Sequence, residues 1–159
     1  MAISKGDRIP DGKLKVMGEK GPEDISTDEI FKGRKVVLFA VPGAFTPGCS
    51  QAHMPGFVAH ADKILNAGVD RIACLAVNDA FVMDAWQKDQ NAEHIMVLAD
   101  GNAEFVKKLG LELDASAMGM GMRSKRFALI ADDGVVEWID VDESGGVDRS
   151  SAEAVLRHL

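Results

Sequence analysis

Cys49 is the residue in this chain best placed to do chemistry. It sits in the run Val41-Pro-Gly-Ala-Phe-Thr-Pro-Gly-Cys-Ser50, after an apolar segment and before a helical pattern. A thiol in the first turn of a helix meets unpaired backbone N–H groups and the positive end of the helix dipole. Both favour the thiolate, the nucleophilic form of sulfur. The competing reading is an inert cysteine packed like a small hydrophobe. Pro47, Gly48, Ser50 and Gln51 do not build the apolar wall that this reading needs.

The residues around it extend that chemistry. Thr46, three positions earlier, can bring a hydroxyl near the sulfur, or can simply cap the turn. Pro42 lacks an N–H and has a fixed φ, so it can end the preceding strand and shield a pocket. Arg123 and Arg126 precede the apolar run Phe127 to Ile130. A guanidinium there could stabilise a thiolate and donate to an oxygen pair, or remain a solvated surface group. His53, one helical turn beyond Cys49, could act as a base toward the thiol, or could fix the helix start. An unperturbed thiol is only a few per cent ionised at neutral pH, and lowering its pKa to about 6 gains roughly thirtyfold. Enzymes typically reach 10⁶-fold or more, so the site must also orient and polarise its substrate.

The elements that must position these groups are legible as patterns. Val36 to Val41, Ile72 to Val77 and Ile95 to Leu98 read as buried strands. Met54, Phe57, Val58, Ala61, Ile64 and Leu65 fall three and four apart, the stripe of a helix that Gly68 ends. Asn78 or Asp79 should cap a helix through Trp86, and Asn102 one through Leu109 that Gly110 closes. Phe127 to Ile130, Asp133-Gly134 and Val135 to Ile139 form a hairpin signature. Ser150 and Glu153 have the spacing of a capping box for a last helix ending at Leu159. Residues 1–29 read as a loop with a short edge hairpin and one helical turn at Thr27 to Phe31. The order β-α-β-α-β-α-β-β-α predicts one domain over residues 1–159. The expected α/β architecture resembles a thioredoxin-like fold, a mixed β-sheet flanked by helices on both faces, with extra elements inserted in the middle.

The totals exclude some functions. With 47% hydrophobic residues and a net charge of −7, the chain has an ordinary globular composition. It carries no basic run for nucleic acid or anionic membrane, and no apolar run of about 20 residues. The first ten residues lack a signal core, so a cytoplasmic location is expected. Its two cysteines, Cys49 and Cys74, form no C-x-x-C pair, and its four histidines fall in no metal-binding spacing, so no metal is expected. Cys74 lies mid-strand, about 10 Å below the Cys49 edge at roughly 3.3 Å per residue. That is too far for a disulfide without local unwinding.

The run Val41 to Ser50 with His53-Met-Pro55 closely resembles the active-site segment of the type II (atypical, peroxiredoxin-5-like) peroxiredoxins of the AhpC/TSA superfamily. The resemblance continues through Val77-Asn-Asp-Ala-Phe-Val82 with Trp86, Leu98-Ala-Asp100 and Arg123-Ser-Lys-Arg-Phe-Ala-Leu129. It implies a thiol peroxidase in which Cys49 attacks hydrogen peroxide or an organic hydroperoxide and becomes a sulfenic acid. Thr46, Pro42 and Arg126 would be its catalytic partners, Pro47 and Gly48 would help bind substrate, and Arg123 would be a neighbour. No cofactor is implied beyond an external thiol, expected to be glutathione with glutaredoxin, with thioredoxin as the alternative. A homodimer is implied, with Phe45 and Phe81 contributing. Some members carry a resolving cysteine near the C-terminus. Residues 140–159 contain none, which implies a one-cysteine cycle. The alternatives are a disulfide exchanger, disfavoured by the missing C-x-x-C, and a redox-sensing or signalling module that uses Cys49 oxidation without rapid turnover.

Overall fold

The computed structural model describes residues 2–143 and 146–159, except for the side chain of Cys49. Lys13–Gly18 (β1) and Gly21–Ser26 (β2) form a hairpin, followed by the short helix Thr27–Phe31 (α1) and the strand Lys35–Ala40 (β3). A π-helical turn over Cys49–His53 leads into Met54–Asn66 (α2). Arg71–Ala76 (β4), Ala80–Asp89 (α3), Ile95–Ala99 (β5) and Glu104–Leu109 (α4) come next. The strands Glu112–Asp114 (β6) and Met122–Ser124 (β7) pair with each other across a 3₁₀ turn at Ser116–Met118. Arg126–Asp132 (β8), Val135–Asp142 (β9) and Ala152–Leu156 (α5) complete the order.

The main sheet runs β2-β1-β5-β4-β3-β8-β9. Its centre, β3, β4 and β5, is parallel, because helical crossovers return the chain to the same edge each time. The flanking pairs are antiparallel. Strand alternation divides the core in two. Val37, Phe39, Cys74 and Ile130 pack against α2, α3 and α5. Val36, Leu38, Leu75 and Leu129 pack against residues of α1 and α4, among them Phe31 and Phe105. Both faces are covered, which is why the central strands are apolar without interruption. This is the thioredoxin-like fold, with a mixed sheet between helices.

The expected punctuation holds at most points. Asp133 and Gly134 have φ of 49° and 81°, as a tight hairpin turn between β8 and β9 requires. Asp79 caps α3, accepting from the Val82 amide at 2.9 Å. Two expectations fail. Asn102 does not cap α4. Asp100, leaving the end of β5, reaches the Phe105 and Val106 amides at 3.2 and 2.9 Å, and Ala103 turns through φ 60°. The Ser150–Glu153 box does not form either. Ser151 is the cap, accepting from Ala154 N at 3.1 Å, and the helix ends at Leu156. Ser150 is drawn away because its hydroxyl donates to Asp142 at 2.6 Å.

Candidate active site

The site is built at the C-terminal edge of β3, where open α/β sheets place their ligands. Val41 stays in the sheet, donating to Leu75 O at 3.0 Å, and Pro42 then releases the chain. The loop that follows is held from below. Ala44 N donates to the Asn78 side chain at 2.9 Å, and Thr46 donates both through its amide (3.4 Å) and through Oγ1 (2.7 Å) to Gly43 O. The Ser50 amide returns to Thr46 O at 2.9 Å, closing the first helical turn. Trp86, fully buried on α3, donates from its indole to Ser50 Oγ at 2.9 Å and ties that turn to the scaffold. Cys49 is the first residue of the π-helical turn. Its side chain lies outside the described residues.

Arg126 opens β8 and is 6% exposed. Its guanidinium lies against the backbone of Gly48: a Cβ there would stand 3.0 Å from Nη2. A side chain at this position would crowd the guanidinium. Arg126 is thereby packed against the residue immediately before Cys49. Arg123 does something else. It belongs to β7, and its Nε and Nη1 donate to the carbonyls of Met120 (2.9 Å) and Val77 (3.0 Å), so it pins the β6–β7 loop to the end of β4.

His53 is 1% exposed. Its ring packs beside the stacked pair Phe39 and Phe57, whose centroids are 3.9 Å apart, at centroid distances of 4.9 and 5.6 Å and tilted to both. Its Nε2 lies 2.8 Å from Ser150 O, and Arg126 Nη1 lies 3.0 Å from its Nδ1. A carbonyl can only accept and a guanidinium can only donate. The ring is therefore neutral, with the proton on Nε2 and the Nδ1 lone pair facing Arg126. Burial, reinforced by the guanidinium charge and opposed by the Ser150 carbonyl, pushes its pKa down to about 3. With both nitrogens occupied, His53 is not a base toward the thiol. It anchors the arginine instead.

Pro42, Leu113, Lys125, Arg126, Asp142 and Glu143 line a cleft of about 260 Å³ beside this cluster. Phe45 and Phe81 are 51% and 65% exposed, and the Ala44–Asn78 bond ties the Phe45 loop to the chain entering α3, whose first turn carries Phe81. Phe45 holds a positive φ of 65°, uncommon for a bulky residue. Cys74 is fully buried in β4, opposite Phe39 and Val97. Among the described residues no group of three or more His, Cys, Asp or Glu is placed to hold a metal ion. Nor is any helix long and apolar enough to cross a membrane. The residues that sequence reasoning missed are Asp142 and Ser150. The Ser150 group that touches His53 is a backbone carbonyl, which carries no residue-type signal.

An α/β sheet with a cysteine-bearing turn at its edge and a buried arginine beside that turn is the architecture of a thioredoxin-like thiol enzyme. The chain belongs to the redoxin family, whose model matches residues 4–156. It is 48% identical to chloroplastic Peroxiredoxin-2E of Arabidopsis thaliana over 99% of this chain and 70% of that one. It is 45% identical to Peroxiredoxin-2D of the same plant, over 99% and 98%. Among solved structures it resembles reduced Prx3 of Vibrio vulnificus in complex with H2O2, with a TM-score of 0.94, 48% identity and 98% of each chain covered. Peroxiredoxin 5 of Alvinella pompejana aligns with a TM-score of 0.86 and 38% identity, over 98% and 96%. These peroxiredoxin relatives indicate a peroxidase oxidoreductase that reduces peroxides with the help of a thiol reductant.

Proposed function

We propose that Cys49 is the peroxide-reducing sulfur, that Thr46, Pro42 and Arg126 serve its reaction, and that glutathione with glutaredoxin restores it. The observation that carries this reading is the buried, tethered guanidinium of Arg126 against Gly48, the residue next to Cys49. A fixed cation there favours the thiolate and can donate to both oxygens of a bound peroxide, in a place where water does not screen it. Pro42 contributes no N–H and closes one side. The Thr46 hydroxyl donates to Gly43 O, and a hydroxyl oxygen so oriented can accept from a peroxide O–H.

The thiolate attacks the terminal oxygen of the peroxide. The O–O bond breaks, and the leaving alkoxide or hydroxide takes a proton to become alcohol or water. Sulfur, oxidised by two electrons, becomes a sulfenic acid. One glutathione condenses with it to a mixed disulfide and water; a second attacks the glutathione sulfur of that disulfide, so that the S–S bond to Cys49 breaks, the Cys49 thiol is restored and oxidised glutathione leaves. Pro47 and Gly48 border the substrate, and a homodimer covers Phe45 and Phe81.

Stopped-flow oxidation by hydrogen peroxide and by a bulky hydroperoxide, followed by steady-state turnover with glutathione–glutaredoxin or thioredoxin, tests this. A fast reaction lost in Cys49→Ser, with turnover sustained by glutathione and glutaredoxin, is expected. A single stoichiometric burst that no thiol restores would instead support a sensor. Turnover with thioredoxin alone would replace the reductant.

A further inference from the structure

Arg126 and Asp142 are cross-strand neighbours in the β8–β9 ladder. A cation opposite an anion suggests a direct ion pair, but the carboxylate is engaged elsewhere. Its Oδ2 accepts from Ser150 Oγ (2.6 Å), Ser150 N (2.9 Å) and Asp148 N (3.1 Å), and its Oδ1 accepts from Arg149 N (2.9 Å). Four donors from one short segment converge on a single side chain, and all come from the stretch that leads into α5.

The consequence lies one bond further on. Ser150 is fully buried, and its carbonyl is the group that receives the His53 Nε2 proton. A neutral imidazole has one donor and one acceptor, and the partner of one nitrogen decides the role of the other. With Ser150 O fixed at Nε2, Nδ1 must present a lone pair, and Arg126 Nη1 donates to it. If Ser150 shifted, the ring could take the opposite tautomer. An N–H would then face the guanidinium, and Arg126 would lose its anchor beside Gly48.

We propose that Asp142 is a positioning residue for peroxide reduction: by clamping Ser150 it sets the His53 tautomer, and through His53 it holds the Arg126 guanidinium in place. The relay runs Asp142, Ser150, His53, Arg126, and joins the end of β9 to the first turn of the Cys49 helix. It rests on the reading that Arg126 acts at the Cys49 sulfur. Asparagine at 142 would keep the shape but turn an N–H toward donors that need an acceptor. Alanine at 150 would keep the carbonyl and remove only the 2.6 Å hydroxyl bond.

Two readouts separate positioning from plain charge or plain stability. Removing an anion near the site would, as a charge effect, favour the thiolate and lower the Cys49 pKa. Loss of Arg126 from its place does the opposite. In Asp142→Asn the Cys49 pKa, followed by thiolate absorbance or alkylation rate against pH, is therefore expected to rise. The second-order rate with hydrogen peroxide should fall by about 10- to 100-fold, the scale of a misplaced catalytic group. In an Arg126→Gln background the same substitution should add nothing, because its effect passes through the guanidinium. Long-range ¹H–¹⁵N spectra of the His53 ring should show the Nε2–H tautomer in the unsubstituted protein and a mixture in Asp142→Asn. Should that variant fail to fold, Ser150→Ala gives the same comparison with a smaller change.

A lowered Cys49 pKa, an unchanged peroxide rate, or additivity with Arg126→Gln would overturn the proposal. If Arg126→Gln itself reacts as fast as the unsubstituted protein, it is the role assigned to Arg126 that has failed. The ring spectra would still show whether Asp142 controls the tautomer.

Discussion

His53 Nδ1 accepts from Arg126 Nη1 at 3.0 Å, across 73 residues of chain and between the start of α2 and the start of β8. A buried imidazole and a buried guanidinium share a hydrogen bond only if the imidazole is neutral, and the apolar box of Phe39 and Phe57 keeps it so. The guanidinium is therefore tethered at His53 by a neutral partner rather than by an anion.

This arrangement gives stability a defined pH dependence. The His53 imidazole takes up a proton near 6.5 when unfolded but only near 3 when folded, chiefly because burial penalises its charge. Between those values the unfolded chain binds more protons. The stability linked to this group is thus complete above about 6.5 and is lost progressively as pH falls toward 3. The slope is at most about 1.4 kcal/mol per pH unit. His53→Gln should flatten the acid side of a thermal-melting profile by up to one proton. Equal slopes in the two proteins would contradict the buried neutral assignment.

Gly48 makes a second prediction. Its missing side chain leaves room for Arg126 Nη2, and a Cβ at 3.0 Å would press on the guanidinium and shift it by a few tenths of an ångström. Gly48→Ala should slow the peroxide reaction by about 10- to 100-fold, while the melting temperature changes little. Kinetics indistinguishable from the parent would mean that the guanidinium position does not matter.

Cys74 is a packing residue in this reading. Cys74→Ala should cost about 1–2 kcal/mol of stability, measured by denaturant unfolding, for a small cavity in a sealed core. Turnover with an external thiol should persist. Its disappearance with every thiol tested would refute the one-cysteine cycle.

The proposed dimer rests on Phe45 and Phe81, large apolar side chains left 51% and 65% exposed, one on the loop before Cys49 and the other in the first turn of α3. Phe45→Ser with Phe81→Ser should shift the sedimentation coefficient toward that of a monomer at micromolar concentration. A sedimentation profile identical to the parent's would move the interface elsewhere.

Much of the scaffold follows from local pattern. Continuous apolar runs became β3, β4 and β5. The Met54 to Leu65 stripe became α2, and Asp133-Gly134 became the tight turn. In each case the information lies within a few residues, in side-chain period or in tolerance of positive φ. Where two residues competed for one local role, local pattern failed. Asp100 took the α4 amides that Asn102 was expected to hold, and Ser151 replaced Ser150 as a cap, because the Asp142 carboxylate at the end of β9 engaged the Ser150 hydroxyl instead.

The amino-acid order alone determined the reactive candidate: a cysteine after a buried strand, at the start of a helix, with Thr46 and Pro42 at fixed spacing. The motif resemblance had already set Arg126 apart from Arg123, but only the tertiary structure decided what each one touches, sending Arg123 to the Met120 and Val77 carbonyls and Arg126 to His53 and Gly48. It also decided that His53 is an anchor rather than a base. Those choices depend on which groups the folded sheet brings within 3 Å and on a backbone carbonyl at Ser150. A carbonyl is the same in every residue, so no pattern of side chains could have announced it.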